Sequence, residues 1–382
     1  MFTSFVIESA WLFCGAALIF HLTSILIVMI RQRTGAHDPV FLTSPPVSLL
    51  RPVCGLDNNI AQTLEASFDL DYPCYEIIFC MASATDAAIP LVQRLIAAHP
   101  SQPAKLLMGN ERFSANPKLD NLVKGWQGAR HAWIIMADSN VLLPRDYIQR
   151  LFSRWTSGTG LVTSPPVGSE PDGFWALVEC AFLNTHQARW QLAADELGFG
   201  FAQGKSMLWR RDILDNAGGI GALATESAED AAATKIVRRA GLKVRVARQP
   251  FAQPLGKRQF RDVWSRQVRW ARLRRATFKT FFIPELLSGG LFPSVVVWGL
   301  EIGGQASVSA ALAFCVVWYG TEAALARLAG WPCSALSVLG LMVRDVMLPV
   351  LWVSAWTGNR FVWRGTQMDA AEKLRSIPSL GL

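Results

Sequence analysis

In the stretch Trp133-Ile-Ile-Met-Ala-Asp138-Ser139-Asn140, an apolar run leads directly into a carboxylate and an amide. A short apolar run ended by polar residues is typical of a strand that is buried on both faces of a sheet. In a parallel sheet, ligands bind beyond the carboxyl ends of the strands. The stretch therefore predicts a central strand that delivers Asp138 and Asn140 to a ligand site.

The residues before this stretch alternate between strand and helix patterns. Strands are predicted at 47–53, 75–81 and 105–108, with helices at 60–68 and 89–98. This alternation predicts an α/β fold, in which a mostly parallel sheet carries helices on both faces. Asp86 follows the second strand as Asp138 follows the fourth, so we expect both carboxylates to face one crevice.

The pattern continues after Asn140 with a strand at 160–163, a long helix at 173–191 and a strand pair at 200–209. A helix from Glu226 to Ala240 then opens on an acidic cluster that includes Asp230 and ends in basic residues. Acids at the start of a helix and bases at its end suit the helix dipole, so structure alone could explain the cluster. The other interpretation makes Asp230 a general base.

Several candidate residues also have structural interpretations. Asp86 could cap the helix that opens near Ile89, and Asp138 could cap the turn before Leu142. Lys118 could be a solvated surface lysine, and His186 could lie on a helix face with its hydrogen bonds satisfied. Both interpretations of each residue remain open at this stage.

Both ends of the chain are apolar: 51% of residues are hydrophobic and the mean hydropathy is +0.25. The first apolar segment is long enough to cross a bilayer and lacks signal-peptide features, so we expect a retained anchor. The predicted divisions are an anchor at 1–32, a linker at 33–46, an α/β catalytic domain at 47–258, an amphipathic interfacial helix at 259–282, transmembrane or re-entrant helices at 283–358 and a tail at 359–382.

The net charge of +8 comes largely from arginines beside the apolar segments, such as Arg31 and Arg33. This placement favours an anionic membrane surface over nucleic acid, and it predicts that the catalytic domain and the tail face the cytosol. Three full spans after the catalytic domain would put the tail on the opposite side. We therefore expect one segment, with 283–304 the first choice, to be re-entrant or interfacial. The seven cysteines have no metal-binding spacing and are expected to be reduced thiols.

The candidate residues match what transfer of a sugar from a nucleotide requires. Asp138 can ligate a hard cation, and Asp230 can accept the proton of an acceptor hydroxyl. The segment Arg266-Gln267-Val268-Arg269-Trp270 offers guanidinium groups and an indole N–H to a departing diphosphate.

Here the sequence resembles the ceramide glucosyltransferases, a family of inverting GT-A-fold enzymes. Three separated aspartates followed by (Q/R)xxRW are matched by Asp86, Asp138, Asp230 and the run from Arg266 to Trp270. Other similar segments are Arg51-Pro52-Val53-Cys54-Gly55-Leu56-Asp57, Leu70-Asp71-Tyr72-Pro73-Cys74-Tyr75-Glu76, Asn116-Pro117-Lys118-Leu119-Asp120-Asn121-Leu122 and Trp363-Arg364-Gly365.

The resemblance implies a role for each matched residue. Asp230, Arg266, Arg269 and Trp270 would be catalytic, with Asp230 as the base and the other three at the leaving UDP. The donor would contact Arg51, Pro52, Asp86, Lys118 and Asp138, and the acceptor would contact His186 and Glu229. A divalent cation, Mg²⁺ or Mn²⁺, would bind Asp138 and Asn140, although Asp-Ser-Asn replaces the Asp-x-Asp of relatives.

The resemblance also implies a function: transfer of glucose or galactose from a UDP-sugar to the primary hydroxyl of ceramide, at a bacterial inner membrane with the catalytic domain in the cytosol. Hopanoid-linked N-acetylglucosaminyl transfer and transfer to polyprenyl phosphate use the same motifs and remain alternatives. A processive polysaccharide synthase fits less well. A non-enzymatic lipid-binding membrane protein is the alternative from a different class.

Overall fold

A computed structural model describes residues 2–33, 44–109, 112–363 and 366–371. The chain divides into two compact units. The sheet unit comprises Gly35–Val167, Ala194–Gly256 and Asn359–Leu382, and the helical unit comprises Met1–Thr34, Gly168–Ala193 and Lys257–Gly358. The predicted catalytic domain at 47–258 therefore contributes 168–193 and its last two residues, 257–258, to the helical unit.

The sheet unit is built on a seven-stranded sheet. Its strands are β1 (Val47–Val53), β2 (Tyr75–Met81), β3 (Ala104–Met108), β4 (Trp133–Ala137), β5 (Thr159–Thr163), β7 (Ser206–Arg210) and β8 (Lys243–Val246), in the spatial order β3-β2-β1-β4-β7-β5-β8. Only β7 runs antiparallel to its neighbours. The mostly parallel sheet expected from the sequence is thus confirmed. Two further strands, β6 (Pro166–Asp172) and β9 (Phe251–Lys257), contain points where the chain passes between the units.

Two apolar layers cover the sheet because alternate strand residues point to opposite faces. Leu49 of β1 belongs to one buried cluster, and Leu50 belongs to the other. The first layer includes helices α2 (Ile60–Glu65), α3 (Ile89–Ala98) and α5 (Tyr147–Phe152), and the second includes α4 (Pro117–Gly128) and α9 (Glu229–Arg239). Both faces are therefore buried, which explains the continuous apolar runs of the strands.

The sequence prediction differs from the structure in two parts of the sheet unit. The expected strand pair at 200–209 is a single strand, β7, preceded by a turn at Gly204-Lys205. The acidic helix begins at Glu229 rather than Glu226, so Asp230 lies in its first turn. The short helix α8 (Arg211–Asp215) and a 3-10 helix at Ile220–Thr225 connect these elements.

The tail also belongs to the sheet unit. Its strands β10 (Arg360–Trp363) and β11 (Thr366–Asp369) form an antiparallel pair. The Ser227 hydroxyl, just before α9, donates to the carbonyl of Ala370 at 3.1 Å. The end of the described chain is thus tied to the sheet, while the rest of the predicted tail and Arg364-Gly365 lie outside the described residues.

Among the residues that the structure describes, the helical unit contains four helical segments that are long and apolar enough to cross a membrane: Ser4–Arg33, Lys279–Ile302, Val308–Leu328 and Ala335–Trp356. Its elements are α1 (Phe2–Arg33), α6 (Phe174–Cys180), a π-helix (Ala181–Ala188), α7 (Arg189–Glu196, whose end lies in the sheet unit), α10 (Phe260–Thr277), α11 (Lys279–Phe282), a 3-10 helix (Ile283–Leu287), α12 (Leu291–Ile302), α13 (Val308–Leu328) and α14 (Ala335–Trp356). The amphipathic helix expected at 259–282 ends at Thr277 and restarts as α11.

A buried ionic cluster links the helices of this unit. The Arg344 guanidinium binds the Glu322 carboxylate at 2.8 and 3.1 Å, and Arg189 lies 3.7 Å from the same carboxylate. Asp345 pairs with Arg344 and accepts the N–H of Gly290 at 2.7 Å. Each of these charges has an opposite charge nearby, so the geometry favours structural pairing for Arg344-Asp345 over a headgroup role.

Replacing Glu322 tests this cluster. Glu322→Gln leaves Arg189 without its carboxylate and removes one of the two acids that bind Arg344. Unpaired buried charges are costly, so we expect a loss of about 3–5 kcal/mol in stability. Thermal unfolding in detergent measures it, with Glu301→Gln at the end of α12 as the matched control. Equal melting temperatures for the two variants would contradict the structural role.

Candidate active site

Asp138 lies directly after β4, where the sequence places it, and each carboxylate oxygen faces a lysine. The Lys118 ammonium lies 2.6 Å from Oδ1, and the Lys205 ammonium lies 3.0 Å from Oδ2. The backbone N–H of Asp138 donates to the carbonyl of Lys205 at 3.0 Å, because β7 runs alongside β4. Strand pairing therefore fixes the position of the Asp138–Lys205 pair.

Lys118 connects Asp138 to the acidic helix. Its ammonium lies 2.7 Å from Oε1 of Glu229 and donates to the carbonyl of Gly204 at 2.6 Å. The N-cap of α4, Asn116, donates from its amide to Oε2 of Glu229 at 2.7 Å. Glu229, expected to bind the acceptor, thus has both oxygens bound by the protein. The surface-lysine interpretation of Lys118 is excluded by its burial and its three partners.

Asp230 stands beside this cluster in the first turn of α9. Its Oδ2 accepts the N–H of Gly204 at 3.0 Å, and its Oδ1 accepts the N–H of Ala231 at 2.8 Å. Burial, and next the negative charge of Glu229, raise the pKa of Asp230 to about 6. A carboxyl with a pKa near the working pH is suited to general base catalysis.

Gly204 is closely surrounded by the ends of two charged side chains. A Cβ atom at this position would lie 2.5 Å from Oε1 of Glu229 and 3.2 Å from the ammonium of Lys118. Any other residue would therefore push apart the groups that surround Asp230. The turn before β7, rather than α9 alone, sets the position of this carboxylate.

Charge distinguishes Asp138 from Asp230. Burial alone would raise the pKa of Asp138, but Lys118 and Lys205 hold this pKa well below the usual range. Asp138 is therefore a permanent anion. The same pairing raises the pKa of Lys118 despite its burial, so that lysine keeps its charge. Two aspartates of one site thus have opposite protonation tendencies, which separates a binding role from a base role.

The predicted cation ligands do not fit a divalent ion held by the protein alone. Both oxygens of Asp138 face lysines, and Oδ1 of Asn140 accepts from Lys205 at 2.9 Å. Two ammonium groups this close would repel a divalent cation. Among the described residues, no group of three or more His, Cys, Asp or Glu side chains could hold a metal.

Asp86 and Arg51 hold loops together at the strand ends. Both oxygens of Asp86 accept the N–H of Gly55, at 3.1 and 2.9 Å, and Oδ1 also accepts the N–H of Ala88 at 2.9 Å. Gly55 has a φ of 67°, which favours glycine. Asp86 thus ties the turn after β1 to the turn before α3, whose N-cap is Ala88 and has no side-chain cap. The contact of Asp86 with the donor stays a prediction.

Arg51 is fully buried in β1, where it holds neighbouring backbone in place, and its contact with the donor stays a prediction. The guanidinium donates to the carbonyls of Thr63, Ser139 and Val141 at 2.8, 3.3 and 3.2 Å. Burial lowers its pKa to about 10, which still leaves it charged. Arg51 therefore fixes the loop that carries Asp138 and Asn140. Pro52, its neighbour, is also buried in β1.

The predicted leaving-group residues and one predicted acceptor residue, His186, lie in the helical unit, whereas Glu229 lies in the sheet unit. Arg266 and Arg258 both bind the buried carboxylate of Glu179, so α10 is joined to α6 by a salt bridge. The Arg266 guanidinium also lies 6.0 Å from the ring centre of Trp270. Arg269 follows one turn after Arg266 on α10, and His186 lies in the π-helix. These residues therefore share one unit with the apolar helices.

The sequence matches a known family over most of the chain. The pattern of glycosyl transferase family 21 matches residues 16–375. The chain belongs to glycosyl transferase family 21. This assignment excludes the non-enzymatic alternative and confirms the resemblance noted from the motifs.

Curated relatives of this glycosyltransferase are ceramide glucosyltransferases. The chain is 30% identical to ceramide glucosyltransferase 1 of Caenorhabditis elegans over 70% of its own length and 58% of the relative's. It is 26% identical to ceramide glucosyltransferase 3 of the same organism over 86% of its length and 73% of the relative's. The ceramide glucosyltransferase of Komagataella phaffii is 25% identical over 83% of this chain and 81% of the relative's length. The chain thus spans just over half of the first relative.

Solved structures of nucleotide-sugar transferases are similar at lower identity. A Pyrobaculum calidifontis mannosyltransferase in complex with GDP-mannose and Mn²⁺ is 17% identical, with a TM-score of 0.48 over 91% of this chain and 98% of that one. Glucosyl-3-phosphoglycerate synthase of Mycobacterium tuberculosis with Mn²⁺ and UDP is 18% identical, with a TM-score of 0.37 over 60% and 79%.

Sequence analysis of the glycosyltransferase missed Lys205 and the role of Gly204. Neither residue follows a parallel strand, so the strand-end rule did not select them. The available signal was the Gly204-Lys205 turn immediately before an apolar run. Only the antiparallel pairing of β7 with β4 brings that turn to Asp138.

The lysine pairs predict weak cation binding by the enzyme without nucleotide. We expect Lys205→Met to bind Mn²⁺ about tenfold more tightly or better, because like charges about 4 Å apart repel by about 4 kcal/mol near a protein surface. Calorimetric titration of Mn²⁺ without UDP measures this difference, with the exposed Lys243→Met as control. Tight Mn²⁺ binding by the wild type, equal to that of Lys205→Met, would show that the lysines do not block the ion.

Proposed function

We propose that this enzyme transfers glucose from UDP-glucose to the primary hydroxyl of ceramide with inversion at the anomeric carbon. The family and the names of its curated relatives support this acceptor and sugar. The observation that carries the mechanism is the half-buried Asp230 carboxyl, held by the N–H groups of Gly204 and Ala231 and close to the charges of Glu229 and Lys118. UDP-galactose is the alternative donor.

In the proposed reaction, Asp230 takes the proton of the acceptor hydroxyl as its oxygen attacks the anomeric carbon. The bond from that carbon to the diphosphate oxygen breaks, and UDP leaves with the electron pair. Arg269 and Trp270 are assigned to the leaving diphosphate, and Arg266 positions α10 through its pair with Glu179. The permanent charges of Lys118 and Asp138 belong to the donor side. The divalent cation remains a prediction from the sequence, and no step runs through it.

The base role of Asp230 predicts a mutational and a pH effect. Asp230→Asn should keep UDP-glucose binding and lose transfer by about 10²–10⁴-fold, the usual range for a general base. Wild-type transfer should fall as the pH drops below about 6, because protonation of Asp230 removes the base. Initial rates with ceramide, product mass spectrometry and donor titration measure these effects.

The exposed Asp69→Asn in the same unit is the matched control for this experiment. Transfer retained by Asp230→Asn would remove Asp230 from the base role. Glycosylation of a hopanoid or of polyprenyl phosphate by the wild type, with ceramide untouched, would overturn the acceptor and leave the chemistry in place.

We also propose a membrane topology, which begins with the direction of α13. Cys14 of α1 packs in one cluster with Ala311, and the His21 ring nitrogen further along α1 contacts the carbonyl of Trp318 at 3.0 Å. Later residues of α1 therefore contact later residues of α13. The two helices run parallel, so the end of α13 lies on the membrane side where α1 ends.

Helix α12 runs in the opposite direction to α13. A Cβ atom on Gly290 would lie 2.6 Å from the indole nitrogen of Trp318, whereas Val297 packs in one cluster with Ala311. The segment 279–302 thus leads away from the side where α1 ends, and α13 returns to it. Both are assigned as crossings.

The remaining segment, α14, is assigned to the interface. It starts just after α13, and the chain beyond it forms β10 and β11 in the sheet unit, which also follows α1 directly. Both ends of α14 are therefore on one side. Exposed apolar residues form a stripe along it at helical spacing: Leu336, Leu339, Met342, Val346, Val350 and Val353. This stripe suits a helix that lies in the interface with one face in the acyl chains. We therefore assign α14, and not 283–304, as the segment that does not cross the membrane.

Site-directed labelling tests this topology. Cysteines introduced singly at Ala329 and Asn359, in a background with the exposed Cys54 and Cys74 replaced by serine, should react with an impermeant maleimide from the same side. A cysteine at Gln305, between α12 and α13, should react from the opposite side. Labelling of positions 329 and 359 from opposite sides would make α14 a full span.

A further inference from the structure

Gln187 and Gln267 form a pair that leaves two polar groups unused. The Gln187 amide nitrogen donates to Oε1 of Gln267 at 3.0 Å, joining the π-helix to α10. Within the described part of the chain, Oε1 of Gln187 and Nε2 of Gln267 are buried and have no hydrogen-bond partner. Gln267 is 2% exposed. One acceptor and one donor therefore remain without a partner. If both amide groups are rotated by 180°, the pair still leaves one acceptor and one donor.

His186, next to Gln187, leaves a further acceptor. The Ser288 hydroxyl donates its hydrogen to the carbonyl of Glu285 at 2.7 Å, so Nε2 of His186 donates to Ser288 at 3.0 Å. Burial, followed by the charges of Arg344 and Arg189, lowers the pKa of His186 well below its usual value, so the ring is neutral. Its Nδ1 is then an acceptor, and among the described residues it has no partner.

All three side chains line one narrow cavity in the helical unit, whose free volume of about 10 Å³ has room for one water molecule. Its remaining lining is mainly apolar, from Phe182, Leu348, Leu351 and Trp352, with the Arg274–Glu285 salt bridge as a charged part. Buried polar groups without partners are costly and uncommon. An apolar cavity with a few converging polar groups is typical of a site for a small polar group on an apolar ligand.

We propose that Gln187 and Gln267 recognise the amide of the lipid acceptor, for which the cavity widens. The Oε1 of Gln187 accepts the amide N–H, the Nε2 of Gln267 donates to the amide carbonyl, and Nδ1 of His186 accepts a hydroxyl of the same head group. This inference rests on the proposed function and narrows it, since it assigns the choice of an amide-bearing lipid to two glutamines. An acceptor without an amide, such as a hopanoid or polyprenyl phosphate, leaves these groups unpaired.

A ceramide analogue with an ester in place of the amide tests the proposal, because it keeps both chains and the primary hydroxyl but lacks the N–H. A site built to bind a substrate N–H discriminates against an analogue without it. We expect the wild type to prefer ceramide over the ester by about tenfold to a hundredfold in kcat/KM. In Gln187→Leu this ratio should fall towards one, whereas the exposed Gln305→Leu should keep it.

The ratio of kcat/KM for ceramide to kcat/KM for the ester separates recognition from folding, because a misfolded protein loses activity with both acceptors. Gln267→Leu should lower kcat/KM for both acceptors by about tenfold, because both retain a carbonyl, with UDP-glucose affinity unchanged. A wild-type ratio near one, or an unchanged ratio in Gln187→Leu, would overturn amide recognition even if ceramide is glucosylated. Absence of any transfer to ceramide by the wild type would instead overturn the proposed function.

Discussion

The ammonium of Lys118 holds the sheet part of the active site together. It binds carboxylates from two separate elements, Asp138 at the end of β4 and Glu229 at the start of α9. Without this charge, the carboxylates of Asp138 and Glu229 would lose the counter-ion that they share. The position of Asp230 follows from the same contact, because Asp230 is the residue after Glu229. Lys118 thus connects Asp138, the permanent anion, to the helix start that carries Asp230, the proposed base.

Much of the sheet could be predicted because the signal is local. Apolar runs such as 75–81 are buried on both faces, and a run of that kind indicates a central strand without any knowledge of its neighbours. The strand-end rule placed Asp138 for the same reason. The family motif located Asp230, since the acidic opening of α9 also suits the helix dipole and could not separate the two interpretations.

The rest of the site depends on contacts between distant parts of the chain. Lys205 reaches Asp138 only because β7 inserts antiparallel beside β4, and antiparallel insertion leaves no mark in an apolar run. Arg51 has the same difficulty: the sequence suggests a ligand contact, whereas in the structure its guanidinium donates to the carbonyls of Thr63 in α2 and of Ser139 and Val141 after β4. An arginine that binds backbone carbonyls and an arginine that binds a phosphate look alike in the sequence. The burial of the side chain, which only the structure shows, distinguishes them.

Membrane topology shows the same limit. The apolar composition of α14 satisfies the length criterion for a span, so hydropathy cannot separate a crossing helix from one in the interface. The distinction comes from both ends of the helix. The start follows α13, whose direction is set by its contacts with α1, and the end leads to a hairpin bound through Ser227. An interfacial α14 would also keep the cavity lined by Leu348 and Trp352 at the depth of a lipid head group, where an amide and a primary hydroxyl are found.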